Sequence, residues 1–131
     1  MRIVTLALLL ALVPATVRAE DHDRSPLGIA NFAASMINVG LSGADALITY
    51  KAVKAGQARE TNPWLVPHVK AHGIGKTMVV KFAINLGTEV GYRYIEHKWP
   101  ERKKTVLGMR LASIAVNGYA VAHNLRVLHG L

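Results

Sequence analysis

Residues 26–54 read PLGIANFAASMINVGLSGADALITYKAVK, and a polar residue returns along them at nearly every turn: Asn31, Ser35, Asn38, Ser42, Asp45 and Thr49. The steps alternate between four and three, so these side chains share one face of a single α-helix. The other faces are almost entirely Ala, Ile, Leu, Val, Met, Phe and Gly. A soluble helix has the opposite proportions, with a limited apolar stripe and a broad charged surface. A narrow polar seam on an apolar cylinder suits a membrane bundle, where polar groups turn inward and aliphatic faces meet lipid.

Downstream the same design returns. Ser25 and Pro26 serve as N-cap and first helical position, and the first helix stops near Gly56. Residues 57–76 contain Pro63, Pro67, Gly73 and Gly75, which predict a loop with one short helix that Asn62 caps and Pro63 opens. A second helix is expected over about 77–95, with Lys81, Asn85, Glu89 and Arg93 at steps of four. A basic turn around Pro100 ends it, and a third helix over about 105–128 carries Arg110, Ser113, Asn117 and Asn124. About 20 residues at 1.5 Å each cross a hydrocarbon core. Gly40, Gly43, Ala44, Gly87, Gly91 and Gly118 permit close helix approach.

Upstream, Arg2 precedes an apolar run from Ile3 to Val13, then Pro14 and the exit Val17-Arg18-Ala19. That order is a secretory signal, with residues 1–19 cleaved and 20–25 left as a flexible exported N-terminus. An uncleaved anchor is the competing reading, though the run is short for a span. The expected fold is therefore all-α: a three-helix membrane bundle over residues 26–131 after a cleaved signal peptide. A soluble or peripheral bundle competes with it, because no segment is a clean run of eighteen apolar residues.

The whole chain of 131 residues is 51% hydrophobic and carries +8, which falls to +6 without Arg2 and Arg18. Export makes nucleic acid an improbable partner and turns the basic charge toward a bilayer with anionic headgroups. Cysteine is absent, which excludes disulfides and thiolate chemistry. Tyr50, Trp64, Tyr92, Tyr94 and Trp99 fall near helix ends, where interfacial aromatic residues belong.

Lys81, Glu89, Arg93 and Arg110 are costly within lipid unless paired. Folding successive helices antiparallel, with Tyr50 level with Thr77, sets Asp45 against Lys81 and Ser42 against Asn85. Reversal near Pro100 sets Arg110 beside Glu89 to Arg93 and Asn117 near Asn85. The resulting seam, Asp45, Lys81, Asn85, Glu89, Arg110 and Asn117, reads either as glue between helices or as a polar route. Glue is the preferred reading, since three helices enclose little room.

Asp45-x3-Thr49 followed by Gly56-x3-Glu60-x-Asn62-Pro63 resembles the signature of a family of small bacterial and archaeal multi-helix membrane proteins of unknown function. The likeness covers residues 38–63, and the later helices agree in general character. It implies membrane location and supplies no activity. Read locally, Asn62 caps the short helix and Glu60 lies outside its positive end.

Sharper chemistry finds little footing. Convergence of Asp45, Glu60 and Asn62 would permit a cation site. His68 and His72 share a helical face but lack the Glu of a metalloprotease helix. Gly40-Leu41-Ser42-Gly43 is similar to the Gly-x-Ser-Gly element of rhomboid intramembrane proteases, with Ala122-His123 as the matching histidine segment. The chain is shorter than that core, and His123 falls about 9 Å from the level of Ser42. No catalytic residue, metal or cofactor is assigned.

A mature N-terminus outside would set Lys51, Lys54, Arg59, Lys70, Lys76 and Arg126 inside against Arg24, Lys98, Arg102, Lys103 and Lys104, so the positive-inside rule barely separates the orientations. The expected role is a non-enzymatic envelope scaffold or accessory subunit in the inner membrane, packed against a second copy or a larger membrane partner. A small transporter or proton-conducting subunit is the alternative, and an intramembrane hydrolase the remote one.

Overall fold

The polar periodicity of residues 26–54 does produce one unbroken helix. A computed structural model describes residues 23–60 and 62–130, so the signal-peptide reading of residues 1–19 lies outside the described residues. Helix α1 is Pro26–Lys54, α2 Val66–His72, α3 Ile74–Lys98 and α4 Lys103–His129, with a 3-10 turn Pro100–Arg102 between the last two. The described residues are all-helical, without a strand.

Local chemistry explains the boundaries. Gly28 N donates to the Ser25 hydroxyl at 3.0 Å, so Ser25 is the N-cap of α1. At the other end Lys51 and Lys54 offset the negative pole of the helix dipole. The short helix starts later than Asn62 and Pro63 predict. Asn62 Oδ1 accepts from Trp64 N at 3.0 Å, and the Asn62 carbonyl accepts from Leu65 N and Val66 N, which closes a separate turn first. Gly73 has φ of 79°, a conformation that favours glycine, and it ends α2 while opening α3 at once. Helix α3 therefore begins at Ile74 rather than near Thr77, and it continues through Glu96 to Lys98 before Trp99 and Pro100 break it. Helix α4 likewise starts at Lys103, directly from the 3-10 turn.

Helix α1 is the centre of the bundle, with α3 antiparallel on one side and α4 parallel on the other. Arg110 meets Asn31, Asn117 meets Asn38 and Asn124 meets Asp45, each pair 79 residues apart. A constant offset with seven-residue steps is the register of two parallel helices joined along a heptad seam. Lys103 ties the starts of the two helices together: its ammonium lies 2.6 Å from Asp23, and its carbonyl accepts from Asn31 Nδ2 at 3.1 Å. Helices α3 and α4 touch each other much less than either touches α1.

The apolar core is small. Val39, Ala46, Met78 and Phe82 are buried together, with Tyr50, Leu65, Ile74 and Leu86 packed against them. Among the described residues, the buried polar set of Asn31, Ser35, Asn38, Ser42, Asp45, Thr49, Thr77, Glu89 and Arg110 outnumbers the buried apolar one. Large apolar side chains face outward instead, with Ile84 at 61%, Val90 at 67% and Val116 at 68% exposure. Two segments, Pro26–Lys54 and Pro100–His129, are long and apolar enough to cross a membrane. Helix α3 is comparable in length but carries Lys81, Glu89, Arg93 and Glu96.

Candidate functional site

The seam of α1 organises two polar clusters, one toward the Pro100 turn and one toward Lys54. In the first, Glu89 projects from α3 onto α1. Its Oε2 accepts from Ser35 Oγ at 2.9 Å and Arg110 Nε at 3.0 Å, and its Oε1 accepts from Asn38 Nδ2 at 2.8 Å. Arg110, on α4 and 1% exposed, also donates through Nη1 to Asn31 Oδ1 at 2.9 Å and Glu96 Oε1 at 2.7 Å. Its guanidinium lies 5.5 Å from the Tyr92 ring centroid, and Arg93 reaches Ser35 at 3.5 Å. Asn117 extends the network by donating to Asn38 Oδ1 at 2.9 Å. One cation thus binds two carboxylates and one amide, so that three helices are locked at a single level.

The second cluster is smaller and less enclosed. Asp45 is 2% exposed, and its Oδ2 accepts from Lys81 Nζ at 2.6 Å while Oδ1 accepts from Asn124 Nδ2 at 2.8 Å. Asn124 also donates to Thr49 Oγ1 at 3.0 Å. Beside this group lies a cavity of about 220 Å³, lined among others by Arg59, Glu60, Tyr119 and His123. The Tyr119 and His123 rings stack with centroids 6.2 Å apart.

Both predicted ion pairs, Asp45 with Lys81 and Glu89 with Arg110, are formed. The predicted layer between them is not. No hydrogen bond joins Asn85 to Ser42 or to Asn117, because α4 packs on α1 and Asn117 meets Asn38 there. Ser42 Oγ is the one buried side-chain oxygen or nitrogen without a partner among the described residues. It lies between the clusters and separates their hydrogen bonds. It makes no bond to His123, so the rhomboid-like pairing is not assembled.

Of the signature residues, Thr49 and Glu60 join Asp45 at the cavity, whereas Asn62 does not line it. Glu60 Oε1 accepts from Asn62 N at 2.9 Å, and Gly56 turns the chain after α1 with φ of 72°. Pro63 belongs to the turn before α2. Among the described residues no group of three or more His, Asp or Glu could hold a metal ion. His68 and His72 lie 4.6 Å apart by ring centroids, and His68 Nδ1 is 2.8 Å from Thr77 Oγ1. Thr77 donates its own proton to the Gly73 carbonyl at 2.9 Å, so His68 is the donor and the contact fastens α2 to α3.

The antiparallel register gives Asn31, Ser35, Asn38 and Asn124 no partners, and a second helix over about 77–95 stops short of Glu96. The seven-residue steps from Arg110 to Asn117 to Asn124, matching Asn31, Asn38 and Asp45, were the signal that paired them. Compared with protein families, curated proteins and solved structures, the chain gives no match.

Proposed function

We propose that this chain is a three-span integral protein of the inner membrane, exported through an N-terminal signal that is then removed, and that it acts as a non-enzymatic scaffold or accessory subunit. The observation that carries this reading is the inverted distribution of side chains. Charged and amide groups are buried between the helices, while Ile37, Ile84, Val90, Leu111 and Val116 point outward. In water that arrangement would leave only the small apolar core to drive folding, whereas in lipid it satisfies both surfaces. Helix α3 fits as the third span because its charges turn inward: Glu89 is buried, Lys81 reaches Asp45 and Arg93 reaches Ser35. Lys98 lies 4.9 Å from the Trp99 ring centroid, an arrangement suited to the headgroup boundary.

The scaffold role is supported by the closure of the Glu89 cluster, whose buried groups are spent on one another. A conducting route finds less support, since the two sets of hydrogen bonds do not connect across Ser42. Membership of the small membrane-protein family with the Asp45 to Pro63 signature belongs to the same proposal. So do an anionic bilayer as surroundings and a second copy or larger membrane protein as partner.

Fractionation of the expressed chain with an alkaline carbonate wash and N-terminal sequencing tests the reading. A membrane-retained band beginning at Glu20 is the expected result. A band released by the wash overturns the spanning bundle, and a retained band beginning at Met1 overturns signal removal.

A further inference from the structure

The cavity beside Asp45 has more hydrogen-bond donors than the protein uses. Both Asp45 oxygens are engaged, so Lys81 and Asn124 neutralise and satisfy the buried carboxylate. Lys81 spends one of its three ammonium protons there, with its side chain 26% exposed. Arg59, Tyr119 and His123 line the same cavity and form no side-chain hydrogen bond with other described residues. A cationic fork, an ammonium, an imidazole and a phenol therefore converge from the loop, α3 and α4.

We propose that this cavity binds a phosphate ester, with Lys81, Arg59 and His123 as its donors. Donors that arrive from a loop and two separate helices match the tetrahedral spread of a phosphate's oxygens better than the planar pair of a carboxylate. The surrounding charge has the required sign. In the lining Asp45 and Glu60 balance Lys81 and Arg59, and the positive excess comes from Lys51, Lys54, Lys70, Lys76 and Arg126, which belong to the same end of the bundle. Glu60 uses Oε1 on Asn62 N, and its second oxygen suits a hydroxyl or amine of the same ligand. The cavity reaches from the loop after α1 down to Asp45, between two and three turns inside the helix end. A lipid headgroup bends into such a place while its chains stay in the bilayer, and a free ester enters from the aqueous side. The lipid source rests on the membrane reading; the site itself does not.

Native mass spectrometry of the full chain in detergent, titrated with phosphatidylglycerol, glycerol phosphate and inorganic phosphate, tests the proposal. One phosphatidylglycerol per chain is expected, with affinity about tenfold weaker in Arg59→Gln and in His123→Gln. Lys70→Gln removes the same charge from the same end without touching the cavity and should change affinity less than about twofold. Both cavity variants are at exposed positions, and unchanged helicity verifies their fold. Binding of the lipid alone assigns the source to the bilayer, and equal binding of glycerol phosphate assigns it to a soluble ester. Absence of binding by every probe, or equal losses in Arg59→Gln and Lys70→Gln, overturns the site. A chain washed from membranes that still binds glycerol phosphate keeps the site and loses only the lipid source.

Discussion

Glu89 and Asp45 are both buried carboxylates paired with a basic residue, yet their surroundings differ. Glu89 receives three hydrogen bonds, and its partner Arg110 is as buried as it is. Asp45 receives two, from a lysine that is partly open to a cavity. The first cluster closes on itself; the second keeps donors unspent beside free volume. Burial of charge is common to both, so it does not mark a binding site. A surplus of donors next to space does.

The largest expected effect comes from opening the closed cluster. Arg110→Met leaves Glu89 and Glu96 without their shared cation and should destabilise the bundle by about 3–5 kcal/mol, read by unfolding in mixed detergent. If it costs no more than Lys81→Met, the contrast between the clusters fails. Lys81→Met should cost about 1–3 kcal/mol, because Asp45 keeps only Asn124. Adding Asp45→Asn should recover at least half of that loss in a double-mutant cycle. Independent losses in the cycle would mean that the pair contributes nothing as a pair.

Next comes the boundary between the clusters. Asn38→Ala removes a bond to Glu89 and one from Asn117, at a cost of about 1–3 kcal/mol, whereas Ser42→Ala, one turn away, should lie within about 1 kcal/mol of neutral. Equal costs would show that Ser42 has a partner.

The smallest effect is at the exposed start of α1. The Lys103 ammonium, with Ser25 beside it, holds the Asp23 carboxyl at about 2, below its ordinary 3.8. A depressed carboxyl contributes its stability above the unfolded value and loses it as pH falls through the folded one. Between roughly pH 4 and 2, protection of the Gly28 amide against exchange, taken relative to its intrinsic rate at each pH, should therefore fall, and Asp23→Asn should abolish that dependence.

The elements and the two ion pairs were legible because they are local or lie between neighbouring helices. Seam spacing identifies α1, Ser25, Pro26 and Gly56 mark its ends, and antiparallel folding puts Lys81 on Asp45 and Arg110 at the level of Glu89. Partner choice for Asn117 and Asn124 was not legible from that premise, because it assigned the last helix to its neighbour in sequence. The preferred contact is with α1, where the heptad steps agree. The start of α3 was obscured by Gly73, which reads as a breaker but serves as the end of one helix and the beginning of the next. The cavity donors Arg59 and His123 have no periodicity that connects them, since one is in a loop and the other on α4.

The 79-residue offset between α1 and α4 also imposes an order in time. At synthesis rates of about 5–20 residues per second, Asn31 waits roughly 4–16 s for Arg110 to exist. Glu89 precedes Arg110 by 21 residues, so on the order of seconds its hydrogen bonds come from the neutral donors Ser35 and Asn38 on α1. Until then the hairpin of α1 and α3 has Arg93 as the cation near Glu89, and the last helix brings the one that binds it directly.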